Sequence, residues 1–361
     1  MAKKQSKYII VKNYYLDYIK KYNLNGGELL PSELEVSNKF EFSRDTVRRA
    51  LNELENEGYI SRERGKGTFY KKPINQTLEK KIAVLTTYVN NYIFPSIISG
   101  IEDVVSSKHY TLTLASTKND PELERNYLRK IIDSRVNGLI IEPTRSAMEA
   151  RNKDLYQELF EVGIPFVMIN AVIKEINPSY VIIDDYKGGY MATKYLLQLG
   201  HRRLAGIFKK DDLQGLYRKK GFLKALREYN VNRDDALIGE YVTADDAYNY
   251  AYYYTDRLLK MNDRPTGIIC YNDEISMKVI DAINSNGLVI PDDISIIGYD
   301  DSIIATTGGL KLTTIKHPKY DLGKQAASQL FNMIEIDSDN KPEYIYEPEL
   351  IVRSTCAEVK D

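Results

Sequence analysis

The sequence predicts an α/β protein in which a small winged helix-turn-helix head precedes a two-lobed body, each lobe with a doubly wound parallel sheet. Two observations support this fold class. About the first 70 residues contain three helical segments and a glycine-rich hairpin. Strand-like and helical runs then alternate for about 220 residues, in more units than one sheet comfortably holds.

The first two helices of the head are predicted from apolar spacing and from a cap. Residues 8–22 place apolar side chains at helical intervals. Ser32 begins the second helix, and Glu35 follows three residues later, which is the pattern of a capping box. We expect Leu34 and Phe40 of this helix to face the core of the head.

The third helix and the hairpin complete the head. Ser43 is the predicted N-cap of a helix that runs to about Glu57. Two strands, 59–64 and 68–70, are joined by a turn at 65–67 that contains two glycines. Three helices followed by a hairpin is the element order of a winged helix-turn-helix.

The predicted strands of the body are apolar runs with little alternation, as expected of parallel strands whose two faces are both covered. Helical patterns lie between most of them, for example at 123–132, 190–199, 221–229 and 275–283. The predicted strands are 82–87, 111–115, 138–141, 166–169, 180–183, 204–208, 267–270 and 294–299.

Composition excludes several classes of protein. No window approaches 18 uninterrupted apolar residues, and no apolar segment follows the basic start, so we expect neither a membrane span nor a secretory signal. Cys270 and Cys356 are too few for a disulfide framework or a thiolate zinc site, and the three histidines are far apart. The sequence therefore predicts a cytoplasmic protein with reduced thiols, no metal and no cofactor.

Charge is divided unevenly along the chain. Residues 1–72 carry a net charge of +5, and the remaining residues carry −6. A basic head on an acidic body indicates that the head alone meets a polyanion such as DNA.

The third helix supplies the side chains for reading DNA. Arg44 and Arg48 share one face at i,i+4, and Asp45 and Arg49 share the neighbouring one. An arginine near the start of a helix in the major groove can bind guanine O6 and N7 together. Thr46 can reach a phosphate or a thymine methyl group.

The second helix and the hairpin add to this surface. Ser32 and Glu33 begin the second helix, where backbone N–H groups favour a phosphate and a carboxylate can accept from cytosine. Arg62, Arg64 and Lys66 lie on the hairpin. A nucleotide-binding phosphate loop is rejected, because the hairpin lacks the required spacing of glycines and lysine.

Five short motifs of the head look like the DNA-binding module of the GntR family, over about residues 7–72. They are PSE at 31–33, SRDTVRRAL at 43–51, Leu54, GYI at 58–60 and GKGTF at 65–69. The resemblance implies that Glu33, Arg44, Thr46, Arg48 and the wing glycine Gly67 contact DNA, with help from a basic residue near Lys7. The full set of expected DNA contacts is Lys7, Ser32, Glu33, Ser43, Arg44, Thr46, Arg48, Arg49, Arg64, Lys66 and Gly67.

Polar residues follow several predicted strands of the body, where open α/β sheets place their ligands. They are Glu142, Asn170, the pair Asn272 and Asp273, and the pair Asp300 and Asp301. Carboxylates, amides and an arginine bind sugar hydroxyls in pairs, and aromatic rings stack on the C–H face of a sugar. Arg218, which we expect to open a helix, would join them, with Tyr92, Phe94 and Tyr248 as the rings. Taken singly, each acid is better explained as a helix cap or as part of a solvated loop, and Asp273 and Asp301 in particular could cap the helices that follow.

Six motifs, in order, resemble the effector domain of the LacI/GalR family over about residues 80–355, a fold shared with periplasmic sugar-binding proteins. They are VNGLII at 136–141, GHRRLA at 200–205, Arg218 with Gly221 and Phe222, YND at 271–273, IGYDD at 297–301 and LTTI at 312–315. The resemblance implies effector contacts by Glu142, Asn170, Arg218, Asn272, Asp300 and His317. It makes His201 a structural residue.

A GntR-type head on a LacI-type body resembles the arabinose-responsive repressors of Gram-positive bacteria. The resemblance implies a homodimeric transcriptional repressor that binds double-stranded operator DNA and is released by a small sugar, L-arabinose. We expect a DNA-binding domain over 1–72, a linker over 73–79 and an effector-binding and dimerisation domain over 80–361.

Three alternatives remain open at this point. The same architecture could sense another small molecule or activate transcription. An enzyme acting on sugars would need a nucleophile or a positioned acid–base pair, and the adjacent acids at 184–185 and 300–301 point in different directions, so no catalytic residue is assigned. A transport binding protein would need a signal peptide and would not need the basic head.

Overall fold

The chain folds as two units, Met1–Glu79 and Lys80–Asp361, in the computed structural model. The predicted linker at 73–79 lies outside the described residues. Among the described residues, no helix is long and apolar enough to cross a bilayer. The structure describes residues 7–56, 58–63, 65–71, 80–90, 93–149, 151–231, 236–307, 309–336 and 341–359.

The head is a winged helix-turn-helix. Leu29 pairs with Phe69 and adds a short third strand to the hairpin. Its core is formed by Val11 and Tyr15, by Val47 and Leu51, and by other apolar side chains. The elements are α1 (Lys7–Lys21), α2 (Glu33–Phe40), α3 (Arg44–Asn56), β1 (Ile60–Glu63) and β2 (Gly67–Tyr70).

One prediction for the core of the head is wrong. Leu34 is 49% exposed, whereas Val36 is buried. The reason is the helical period: Val36 and Phe40 are four residues apart and share the face toward the core, and Leu34 lies two residues from Val36 on the opposite side.

The body contains two six-stranded sheets. All eight predicted strands are present with bounds that differ by at most one residue, and four further strands, at 237–241, 313–316, 343–346 and 349–351, were not predicted. The strands are β3 (Lys81–Thr86), β4 (Thr111–Ser116), β5 (Gly138–Ile141), β6 (Phe166–Ile169), β7 (Ser179–Ile183), β8 (Leu204–Lys209), β9 (Leu237–Tyr241), β10 (Gly267–Cys270), β11 (Ser295–Asp300), β12 (Thr313–Lys316), β13 (Glu343–Tyr346) and β14 (Glu349–Ile351).

Helices cover both faces of each sheet, so the strands are buried on both sides. The helix that contains Arg218 begins at Leu213, so Arg218 lies in its second turn and does not open it as predicted. The helices are α4 (Phe94–Ser107), α5 (Pro121–Ser134), α6 (Lys153–Glu161), α7 (Asp185–Gln198), α8 (Leu213–Glu228), α9 (Ala247–Leu259), α10 (Asp273–Ser285), α11 (Ile303–Thr306) and α12 (Lys319–Ile336), with a short 3₁₀ helix at Lys174–Ile176.

Each sheet belongs to one lobe. The first lobe has the order β13-β7-β6-β5-β3-β4, with all pairs parallel, and the second has β14-β12-β11-β10-β8-β9, with β14 antiparallel to β12. Within the described residues the chain passes between the lobes at three places, namely β7 to α7, β12 to α12 and β13 to β14. The parallel strands of both sheets end at one cleft, where the ligand of such a sheet binds.

Candidate functional site

α3 presents its arginines to solvent and its apolar side chains to the core. Arg44 and Arg48 are exposed, and Val47 and Leu51 are buried. Arg48 Nε lies 3.0 Å from Glu33 Oε2, so the first turn of α2 and the exposed face of α3 form one polar surface. Glu33 and Arg48, both expected to contact DNA, therefore form an ion pair with each other in the free protein.

Both serines of this surface cap helices. Ser32 forms the predicted capping box with Glu35, in which Glu35 N donates to Ser32 Oγ at 3.3 Å and Ser32 N donates to Glu35 Oε2 at 2.7 Å. Ser43 Oγ accepts from Thr46 N at 3.3 Å. Each hydroxyl accepts from a backbone N–H group of the first turn and so fixes the backbone at the start of its helix. The N–H groups of the first turns therefore point outward from a fixed backbone.

Two cations at the edge of the head rest on aromatic rings. The Arg49 guanidinium lies 4.2 Å from the centre of the Tyr8 ring, and Lys7 Nζ lies 5.2 Å from that of Phe42. These contacts hold positive charge beside α3.

The wing carries an exposed lysine beside a glycine with a positive φ. Lys66 Nζ pairs with Glu63 Oε2 at 2.9 Å but stays 72% exposed. Gly67 has φ +127°, a conformation that residues with a Cβ rarely adopt. Arg62 contacts Glu55 and Asn52, so this arginine attaches the hairpin to α3. Arg64 lies outside the described residues.

The cleft of the body holds a cavity of about 390 Å³. It brings together eight side chains that the sequence assigned to the effector site, and Tyr92, the ninth, lies outside the described residues. The eight are Phe94, Glu142, Asn170, Arg218, Tyr248, Asn272, Asp300 and His317.

A hydrogen-bonded chain forms one wall of the cavity. Glu142 Oε2 accepts from Thr87 N at 3.0 Å, and its Oε1 accepts from Asn170 Nδ2 at 2.9 Å. Asn170 Oδ1 lies 3.2 Å from His317 Nε2. Burial raises the pKa of Glu142. Burial, with the charges of Lys319 and Arg218, lowers the pKa of His317 to about 3, so this ring is neutral near pH 7.

Arg218 is fixed on several sides. Its Nε donates to Asp185 Oδ1 at 2.7 Å, and its Nη1 donates to the backbone oxygen of Tyr271 at 2.6 Å. The guanidinium lies 3.4 Å from the centre of the Tyr299 ring, and Nη2 lies 3.8 Å from Asp300 Oδ1. Such a preorganised arginine can donate to a ligand without first losing side-chain freedom.

The neighbouring acids have different roles. Asp273 Oδ2 accepts from Ser302 N at 2.8 Å, and Asp301 Oδ1 accepts from Arg353 Nη2 at 2.6 Å, so both tie loops together outside the cavity lining. Asn272 is the N-cap of α10 through a bond from Ile275 N. Asp300, whose φ is +103°, lines the cavity.

Several lining residues were missed by sequence reasoning. Lys209 is the last residue of β8, and Asp212 lies three residues later. Their position at the end of a predicted strand was the signal that could have identified them. Lys209 Nζ pairs with Asp212 Oδ2 at 2.6 Å. The other missed polar and aromatic residues of the lining include Thr87, Tyr88, Gln214, Tyr241, Thr243, Asp245, Asp246, Tyr271 and Glu274.

Carboxylates outnumber cations on the described lining of the cavity. The acids are Glu142, Asp212, Asp245, Asp246, Glu274 and Asp300, and the cations are Lys209 and Arg218. A surplus of negative charge disfavours an anionic ligand and suits a neutral one with many hydroxyl groups.

His201 belongs to the core, as the sequence indicated. Its Nδ1 lies 2.8 Å from Thr266 Oγ1, and its Nε2 lies 3.1 Å from the backbone oxygen of Ala357. The ring joins the segment after α7 to the last described segment of the chain, and His201 is 3% exposed.

Comparisons with known proteins agree with the two units. Residues 13–69 match the model of the bacterial regulatory proteins of the gntR family, and residues 193–356 match a periplasmic binding protein-like domain. The arabinose metabolism transcriptional repressor of Geobacillus stearothermophilus is 42% identical over 358 residues, which cover 98% of each chain.

Solved structures resemble the body. A LacI family transcriptional regulator from Enterococcus faecium with bound ribose is 28% identical with a TM-score of 0.68, over 78% of this chain and 100% of that one. A periplasmic binding protein/LacI transcriptional regulator from Alkaliphilus metalliredigens, complexed with D-xylulofuranose, is 28% identical with a TM-score of 0.66, over 77% and 99%.

Proposed function

This chain belongs to the family of the arabinose metabolism transcriptional repressors, and from that premise we propose that L-arabinose, bound in the cavity of the body, releases it from operator DNA. The observation that carries the proposal is the cavity itself. Arg218, Asp300 and the chain from Glu142 to His317 all meet there, at the carboxyl ends of both sheets.

The chemistry of the lining favours a sugar. A neutral polyol meets donors on Arg218, acceptors on Asp300 and His317, and rings such as Phe94 and Tyr248. The volume falls in the range of roughly 300–1,000 Å³ that is usual for small-molecule sites. The surplus of carboxylates weighs against phosphorylated sugars.

L-Arabinose is the sugar that the relatives favour. The related chain from Geobacillus stearothermophilus is named for arabinose metabolism. The two structural neighbours of the body hold ribose and D-xylulofuranose, which are also five-carbon sugars.

On the DNA side, we propose that α3 enters the major groove while the start of α2 and the wing contact phosphates. The expected contacts are those assigned from the sequence, with Arg44 reading a guanine. One 13-residue recognition helix makes few base contacts, so two copies would read a two-fold operator. Sedimentation of the protein on operator DNA should give two chains per duplex, and one chain per duplex would contradict the dimer.

The chain would act by binding alone. The relatives named above are transcriptional regulators, and we propose that the body senses its sugar without converting it. Because bacterial operator DNA lies in the cytoplasm, we place the protein there.

A release experiment tests the function. A fluorescent operator duplex, enriched from a random pool, is bound by the protein and titrated with L-arabinose. We expect release by the wild type and none by Asp300→Asn, which keeps the shape of the side chain but removes its charge. Asp301→Asn is the matched control, since Asp301 bonds to Arg353 away from the cavity. Operator binding that L-arabinose does not weaken would overturn the proposal.

A further inference from the structure

We propose that Asn119 is a latch between the two lobes: a side chain outside the cavity lining that sets how readily the cleft closes on the sugar. This inference rests on the proposed function, since it concerns the regulation of the same cavity. Asn119 lies in the first lobe, between β4 and α5. Its Nδ2 donates to Asp212 Oδ1 at 3.1 Å and to Thr243 Oγ1 at 2.7 Å, both in the second lobe.

Two backbone groups reinforce this contact. Ala147 N of the first lobe donates to the backbone oxygen of Asp211 at 3.1 Å. Leu213 N, at the start of α8 in the second lobe, donates to Ser146 Oγ at 3.0 Å. These residues are separate from the three crossing segments, so they join the lobes independently of the covalent hinge.

The latch is connected to the cavity through Asp212. While Asp212 Oδ1 accepts from Asn119, its Oδ2 accepts from Lys209 Nζ at 2.6 Å, and both Lys209 and Asp212 line the cavity. A bond to a carboxylate is stronger than one between neutral groups. The closed cleft is therefore stabilised by the latch as well as by the sugar, and the latch shifts the sugar concentration that closes it.

Asn119 is held ready for this role within its own lobe. Its Oδ1 accepts from Arg145 N at 2.7 Å. Its φ is +57°, a left-handed conformation that Asn and Asp tolerate better than most residues. Asn119 is 1% exposed in the present arrangement of the lobes, so separating the lobes would transfer its amide to water.

Asn119→Asp is the sharpest test variant. It preserves the shape, the tolerance of a left-handed backbone and the acceptor for Arg145 N, but it replaces the donor with a carboxylate facing Asp212. The matched control is Asn286→Asp. Asn286 is half-buried, and its Nδ2 also donates to a carboxylate, Asp256 Oδ1 at 3.0 Å, but both residues belong to the second lobe, at the end of α10 and on α9.

The first measurement needs no sugar. Hydrogen exchange of the full chain follows the amides of Ala147 and Leu213, which bond across the lobe boundary. In Asn119→Asp these amides should exchange at least about tenfold faster, as expected when a bond to a charged group is replaced by repulsion. Asn286→Asp should leave them at the wild-type rate. Wild-type exchange in Asn119→Asp would overturn the latch, whichever ligand the cavity takes.

The second measurement is calorimetry with L-arabinose. The Kd should rise at least about tenfold in Asn119→Asp. In the double variant with Asp212→Asn, the new amide at 212 can donate to the new carboxylate at 119, so the combined loss should be smaller than the product of the single losses. Strictly multiplicative losses would overturn the latch. Absence of binding heat with the wild type would instead defeat the proposed function, and hydrogen exchange would still decide the latch.

Discussion

His317 Nε2 lies 3.2 Å from Asn170 Oδ1, and this contact determines which ring nitrogen carries the proton. Because Asn170 donates through Nδ2 to Glu142, its oxygen is the atom that faces the ring, and Nε2 must be the donor. The other nitrogen, Nδ1, is then an acceptor. Among the described residues it has no hydrogen-bond partner, although it is buried at the cavity wall.

We therefore predict that His317 accepts a sugar hydroxyl through Nδ1. His317→Gln can still reach Asn170 with its amide but loses the acceptor, and its affinity for L-arabinose should fall by about 1–2 kcal/mol. His317→Asn, whose oxygen lies close to the position of Nδ1, should lose less. Calorimetry on both variants checks this, and equal affinities of the two variants would refute the acceptor role.

The same histidine should make stability depend on pH. In the folded chain its pKa is lowered to about 3, whereas an unfolded histidine titrates near the ordinary value of about 6.5. Between these values the unfolded chain binds more protons, so stability falls as the pH falls through this window and is fully present above it. His317→Gln should therefore reduce the slope of the free energy of unfolding against pH by up to about 1.4 kcal/mol per pH unit.

The measurement is urea unfolding followed by circular dichroism between pH 7 and pH 5. His109→Gln is the control, because the His109 ring is exposed on the first lobe. A slope that His317→Gln leaves unchanged would show that His317 does not stay neutral in the folded state.

Two substitutions in the head should separate base reading from phosphate binding. Arg44→Ala should cost about 1–3 kcal/mol at one base pair and relax the sequence preference there. Lys66→Ala should weaken binding to every sequence alike and reduce the salt slope by about one unit. Fluorescence anisotropy over a range of salt and of operator variants measures both effects. Wild-type affinity of both variants at all salt concentrations would contradict this docking.

In the body, the strands that the sequence predicts are short and are buried on both faces. β5 and β6 have the predicted bounds, because uninterrupted apolar runs such as GLII are typical of covered parallel strands. β12 was missed because Thr313 and Thr314 are polar, and their burial depends on bonds to Thr355 and Asp273, which are distant in sequence.

The residues of the candidate site also fall into two groups, those that the sequence revealed and those that it did not. Residues directly after predicted strands, such as Glu142 and Asp300, were found because the carboxyl ends of parallel strands meet in one cleft. Tyr241 was missed with its strand, β9. Lys209 was missed although its strand was predicted, because lysine is rarely buried unless paired, and the sequence alone does not show that Asp212 pairs with it.

The most direct test of the account is the affinity for L-arabinose measured twice, on the free protein and on its operator complex. If the sugar releases the repressor, DNA must weaken sugar binding by the factor by which sugar weakens DNA binding. We predict that the Kd for L-arabinose is about 5–150-fold higher on the operator, a coupling of about 1–3 kcal/mol. Equal Kd values in the two states, or no binding to the free protein, would contradict the central claim that sugar binding in this cavity weakens DNA binding by this head.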